Sequence, residues 1–156
     1  MQITINSQTT HDIHHVVCDF NGTIAVDGEI ISGVRELFAE LKSMGLAVHA
    51  ITADTHGNAA TQLQGYDCEL HIIDEATQDI AKLLFIQSLD TEKVCAIGNG
   101  QNDRLMLKEA AIGIAVIQDE GCAWGAWMAA DLAVKNIHDA LNLILKPLRL
   151  KATLRV

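Results

Sequence analysis

The chain has no unbroken apolar run close to the roughly 18 residues that a membrane-spanning helix needs, so no such segment is expected. Basic residues are also scarce: 11 Lys and Arg face 20 Asp and Glu, a formal net charge of −9 at pH 7. They are scattered except for Lys146, Arg149, Lys151 and Arg155, which leaves no electrostatic footprint for nucleic acid. A metal cation or a small molecule fits that balance better as a partner. The four cysteines, Cys18, Cys68, Cys95 and Cys122, form no CxxC pair, and three of them sit in apolar strand-like runs. They read as buried, reduced thiols rather than as a disulfide framework. The opening stretch MQITINSQTTHD lacks a basic start and an apolar block, so no export signal is expected and the cytoplasm is the expected compartment. No linker, repeat or low-complexity segment divides the 156 residues, and one domain over 1–156 is the expectation.

What is present is apolar, at 49% hydrophobic residues, and it is ordered. After a possible edge strand in QITIN, six short apolar runs follow one another: HHVVCDF, LAVHAIT, CELHIID, KVCAIGN, IGIAVI and DLAVK. Stretches with helical spacing alternate with them, namely GVRELFAELKSMG, TQDIAKLLFIQSL, NDRLMLKEAA, CAWGAWMAA and IHDALNLILK. Short connections between alternating strands and helices imply right-handed crossovers and a doubly wound, mostly parallel α/β sheet with helices on both faces. Gly45, Gly65 and Gly113 stand where a left-handed residue closes a helix, and the lone Pro147 follows the last strong helical run.

In such sheets ligands gather at the carboxyl ends of the strands. The first strand ends in Asp19, followed by Phe20, Asn21, Gly22 and Thr23. The second ends in Thr52, with Ala53 and Asp54 next. The run VCAIG opens into Asn99, Gly100, Gln101, Asn102 and Asp103. Lys82 lies in the helix before that run, and its long stem reaches toward the same cleft. Asp54 and Thr55 read as caps of the helix near Asn58, and Asp27 with Gly28 as a hairpin turn. His14 and His15 lie at the opposite end of the first strand from Asp19 and read as structural, while His56 is a candidate substrate contact. Trp124 and Trp127, three apart on one helix, read as core or oligomer contacts.

These elements resemble the haloacid dehalogenase (HAD) superfamily of phosphohydrolases, with its Asp-x-Asp-Gly-Thr loop, Ser/Thr, Lys and Gly-Asp-x-x-x-Asp loop. NGTIAVDG, ITADTHG, AIGNGQNDRLMLKEAAIGIAVI and AADLAV look most like the small soluble relatives of the P-type ATPase phosphorylation domain. The resemblance implies a HAD-like Rossmannoid fold and a nucleophile, Asp19, that forms an aspartyl-phosphate. It implies a magnesium ion held by Asp19, Asp103 and the backbone carbonyl of Asn21, with Asn99 as a further oxygen donor. Thr52 and Lys82 would hold phosphoryl oxygens, with Gly22, Thr23, Ala53, Asn99 and Gly100 lining the substrate's place.

Two departures matter. Most hydrolytic members carry an acid where Asn21 stands, and a carboxamide cannot shuttle that proton, a loss worth roughly 10²- to 10⁴-fold in rate. Asn99 likewise replaces an acid and should weaken metal binding. Only ten residues, Thr23 to Ser32, separate the first loop from the first long helix, so no cap domain is expected. Capless members resemble the KDO-phosphate phosphatases, whose neighbouring subunits cover the site, or act on macromolecular substrates; the resemblance implies a homo-oligomer, such as a tetramer, acting on a small phosphorylated substrate. The alternative is a catalytically weak phosphate-binding or regulatory interaction protein of the same fold. GNGQND starts as Gly-x-Gly, but Asp103 stands where a dinucleotide fingerprint needs its third glycine.

Overall fold

The computed structural model describes residues 1–5, 9–55 and 57–155. In chain order the elements are β1 (Gln2–Thr4), β2 (Thr10–Asp12), β3 (His15–Asp19), β4 (Ala25–Val26), β5 (Glu29–Ile30), α1 (Val34–Ser43), β6 (Ala47–Thr52), α2 (Ala59–Gln62) and β7 (Glu69–Ile72). There follow α3 (Gln78–Ser88), β8 (Val94–Gly98), α4 (Arg104–Glu109), β9 (Ile112–Val116), α5 (Trp124–Ala129), β10 (Leu132–Val134), α6 (Ile137–Leu145) and α7 (Pro147–Leu154). The six expected runs form one parallel sheet in the order β10-β9-β8-β3-β6-β7. The chain winds outward from β3 through β6 to β7, then crosses back to β8 and winds the other way. The reversal therefore falls between β3 and β8, where a crevice opens at the carboxyl edge.

Side chains alternate between the two faces of each strand, and each face has its own core. Val16, Cys18, Val48, Ala50, Cys95 and Ile97 meet Val34, Phe38 and Leu41 of α1 and Ile137, Leu141 and Ile144 of α6. Val17, Ile51, Val94 and Ala96 meet Ile86 of α3, Met106 and Leu107 of α4 and Ala126 of α5. Between Asp19 and α1 the chain builds only the β4–β5 hairpin, whose turn puts Asp27 and Gly28 at φ 50° and 78°, as expected of that pair. No cap domain is inserted there. Among the described residues no helix is long and apolar enough to cross a membrane.

Three expectations need correction. The QITIN stretch, of which Asn6 lies outside the described residues, gives β1, and this strand pairs antiparallel with β2 rather than with the main sheet. It is held by its own return strand, with Ile13 N–H donating to Met1 O at 2.8 Å. Gly113 closes no helix. It lies inside β9, where a Cβ would come within 2.1 Å of the Leu107 carbonyl oxygen, so the α4 backbone approaches the strand only over a glycine. Pro147 follows α6 as expected and starts the further helix α7 at its first position, where its missing N–H costs nothing. Trp124 and Trp127 are not core: they are 74% and 43% exposed, with rings stacked 6.4 Å apart.

Candidate active site

Three neighbouring strands, β8, β3 and β6, deliver Asn99, Asp19 and Thr52 to the same edge of the sheet. Lys82 enters from α3, one turn after Gln78 and one before Ile86, which packs in the core. Its ammonium is wholly buried and donates to Asp19 Oδ1 at 2.5 Å and to Asp103 Oδ1 at 2.6 Å. Thr52 Oγ1 accepts the Asp54 N–H at 2.9 Å, leaving its own proton free to donate. Asp54 Oδ1 in turn accepts the Asn58 and Ala59 amides at 3.1 and 3.0 Å, the expected cap of α2.

A cavity of about 280 Å³ lies over these groups, lined by Asp19, Asn21, Thr52, Ala53, Asn99 and Gly100. Thr55, Gln78, Asn102 and Glu120 complete its walls, and Gln78 accepts from Asn102 Nδ2 at 2.5 Å. Sequence reasoning missed these last residues as site members. Thr55, Asn102 and Glu120 follow strand ends, and Gln78 precedes Lys82 by one helical turn, which are the signals that would have found them.

Three expected contacts are placed differently. Asp103 does not line the cavity: its side chain is 0% exposed, and its Oδ2 accepts the Asn99 and Gly100 amides at 2.9 and 2.8 Å. With Lys82 on the other oxygen, Asp103 anchors the ammonium and the Asn99 loop from behind. Thr23 is also fully buried, and its hydroxyl donates to Asn99 Oδ1 at 3.1 Å, so it orients that carboxamide instead of meeting a substrate. Gly22 offers no free amide, because its N–H donates to Ala25 O at 2.8 Å. Its contribution is shape: it sits at φ 77°, and a Cβ there would come within 2.3 Å of Asn99. Gln118, unforeseen, pins this loop by donating from Nε2 to the carbonyls of Gly22 and Thr23 at 2.9 and 2.6 Å. His56 lies outside the described residues.

Electrostatics make the centre receptive to a cation. Two carboxylates share one ammonium, so a single negative charge is left over in a buried place. Burial and the neighbouring Asp103 charge push the Asp19 carboxyl up to about 7, against the pull of Lys82. Burial alone would lower Lys82, but the two carboxylates outweigh it and raise it, so the ammonium stays charged. The Asn21 Oδ1 is buried with no hydrogen-bond partner, an oxygen that lacks a donor or a metal. An oxygen-rich donor set with surplus negative charge suits magnesium.

Comparison with known proteins gives the family. Residues 2–111 match the model of the haloacid dehalogenase-like hydrolases, and the chain belongs to that family. An uncharacterized protein of Methanocaldococcus jannaschii is 48% identical over 83 residues, 51% of this chain and 89% of that one. A soluble P-type ATPase-like phosphatase of the same organism is 28% identical over 128 residues, 80% of this chain but only 46% of its own length. Among solved structures, the 3-deoxy-D-manno-octulosonate 8-phosphate phosphatase of Moraxella catarrhalis, in complex with magnesium, phosphate and KDO, superposes with a TM-score of 0.69. It is 20% identical, and the match covers 88% of both chains. The chain is thus similar to the phosphatase-type hydrolases of its family.

Proposed function

We propose that this protein is a magnesium-dependent phosphohydrolase that works through an aspartyl-phosphate on Asp19. The observation that carries the reading is that Asp19 and Thr52 line one cavity beside the unpartnered Asn21 oxygen, with the buried Lys82 ammonium bonded to Asp19 from behind. Asp19 and the Asn21 carbonyl groups would hold the ion, with Asn99 as a neutral donor and Asp103 lending its charge from behind Lys82. When bound, magnesium neutralises charge on the phosphoryl group and on the attacking carboxylate.

An Asp19 oxygen forms a bond to phosphorus as the ester P–O bond breaks, and the leaving alkoxide takes its proton from solvent. Lys82 and the Thr52 hydroxyl stabilise the phosphoryl oxygens. Water then attacks phosphorus, releasing phosphate and restoring the Asp19 carboxylate. Asn21 can neither protonate the alkoxide nor activate that water, so turnover is slow and the phosphoenzyme persists. The same two carboxamides, Asn21 and Asn99, favour a second reading, a phosphate-binding protein with little turnover.

Without a cap, the small phosphorylated substrate would be enclosed by another copy of the chain, and the exposed Trp124, Trp127 and Met128 of α5 supply an apolar surface for it. A homo-oligomer, such as a tetramer, is expected by analytical ultracentrifugation, and a monomer would count against this part. The four free cysteines accord with a reducing compartment, the cytoplasm. Hydrolysis of p-nitrophenyl phosphate with magnesium tests the core of the reading. Asp19→Asn should reduce it by roughly 10⁴-fold, chelation should abolish it, and intact mass should show a phosphoryl group on the wild type alone. Hydrolysis that survives Asp19→Asn would end the proposal, whereas phosphate binding without turnover, cured by Asn21→Asp, would favour the second reading.

A further inference from the structure

Three imidazoles cross the sheet in a diagonal row, on the face covered by α3. The registers His15↔Ala47 and His49↔Glu69 advance the row by two residues at each strand, so His15, His49, Glu69 and His71 project to the same side. His15 Nδ1 lies 3.1 Å from His49 Nε2, and His49 Nδ1 lies 3.1 Å from His71 Nε2. Glu69 Oε2 is 3.7 Å from His49 Nδ1 and 3.8 Å from His71 Nε2. The Phe85 ring, from α3, covers the row with its centroid 4.2 Å from that of His71.

A neutral imidazole carries one proton and two nitrogens, and both nitrogens of the buried His49 face another ring. With the proton on Nε2, His49 donates to His15 and turns the Nδ1 lone pair toward His71 Nε2 and the Glu69 carboxylate. Nothing in the phosphoryl chemistry uses this corner. Asp19, Ile51 and His71 stand in one register row, so the corner is two strand spacings, roughly 10 Å, from the nucleophile, with Ile51 between.

We propose that His49 Nδ1, His71 Nε2 and Glu69 Oε2 form a second metal site, selective for zinc, with His15 as the residue that orients His49. Zinc takes imidazole nitrogen and carboxylate oxygen at about 2.0–2.2 Å in tetrahedral geometry, which puts ligand atoms about 3.3 Å apart. The three separations of 3.1, 3.7 and 3.8 Å bracket that value without backbone movement. Zinc would displace the proton now shared by His49 and His71, and water would take the fourth position on the side where Glu69 is 69% exposed. Imidazole ligands sort this site from the oxygen-lined cavity, since magnesium prefers oxygen donors. Bound there, zinc ties the edge strand β7 to β6, with the His15 ring bond fixing the tautomer as outer partners of metal-bound histidines do.

The test is a zinc titration of metal-stripped full-length protein in excess magnesium, with affinity read by competition against a chromophoric chelator and geometry read from the visible spectrum of a cobalt substitute. One equivalent is expected, with a tetrahedral cobalt spectrum. His71→Gln and Glu69→Gln, both at solvent-reached positions, should each weaken zinc at least about tenfold, and His15→Gln about 10- to 100-fold. Asp19→Asn should leave zinc affinity unchanged, which keeps this result separate from the phosphatase reading. No zinc uptake by the wild type, or uptake that survives both His71→Gln and Glu69→Gln in protein of wild-type circular dichroism, would overturn the proposal.

Discussion

The two faces of the sheet are built to different ends. Against α1, α6 and α7 the strands bury hydrocarbon and thiol groups along most of their length, in the larger of the two cores, with the Thr52 hydroxyl at the carboxyl edge of that face. Against α3, α4 and α5 the apolar cluster is smaller, and the space left over holds Lys82, Asp103 and the buried His49. A core of pure hydrocarbon is indifferent to pH and metal, whereas one that buries an ammonium between two carboxylates holds only while every charge keeps its partner. The charged groups therefore lie on the α3 side of the same strands, and the α1 side contributes the Thr52 hydroxyl to the site.

Substitutions on the two faces should therefore separate. Lys82→Met strands two buried carboxylates and should cost about 3–5 kcal/mol of stability as well as all turnover. Phe38→Ala, beneath α1, should cost a similar 3–5 kcal/mol by cavity formation yet leave activity per folded molecule near wild type. Urea unfolding followed by assays on the folded fraction reads both. If Phe38→Ala silences the site as completely as Lys82→Met does, the faces are not independent.

Proton uptake offers a smaller effect with a definite sign. Asp19 titrates near 7 in the folded metal-free chain, against 3.8 when unperturbed, so the folded state holds a proton that the unfolded state has released. The stability this group contributes is fully present below about pH 4 and is lost as pH rises through 7. In a chelator, wild type should lose stability from pH 5 to pH 7 relative to Asp19→Asn, by about 1.4 kcal/mol for each pH unit crossed. Magnesium, by replacing the proton, should remove the difference. An equal pH slope for both proteins would show that Asp19 is not perturbed.

Smallest is the expected effect of Gln118→Ala. Its side chain donates to Gly22 and Thr23 and accepts the Ile137 N–H at 3.0 Å. Leaving those groups without it should cost about 1–3 kcal/mol and lower kcat more than KM, because the Asp19 loop loosens. A variant with unchanged kcat would show that β4, β5 and the Asn99 contact hold the loop unaided.

Much of the site was legible because strand ends and helical turns can be counted. Asp19, Thr52 and Asn99 each close an apolar run, and Lys82 sits at the helical position that faces inward with Ile86. Other residues are placed differently from expectation, for reasons that lie between elements. Asp103 was expected at the ion, but the short turn after β8 folds its carboxylate back onto the Asn99 and Gly100 amides. Thr23 was expected at the substrate, but the left-handed turn at Gly22 sends its hydroxyl inward to Asn99. Gln118 was invisible because its partners lie 96 and 95 residues away.

By itself, the sequence determined the elements, their alternation and the parallel sheet, since apolar periodicity and turn residues act over a few neighbouring positions. It also determined the chemistry available at each strand end, because residue type sets charge and proton capacity. Only the tertiary structure decided which polar groups meet. Contacts across the sheet depend on strand order and register, and the His15, His49 and His71 rings, separated by 34 and 22 positions along the chain, come within hydrogen-bond distance only when three strands lie side by side.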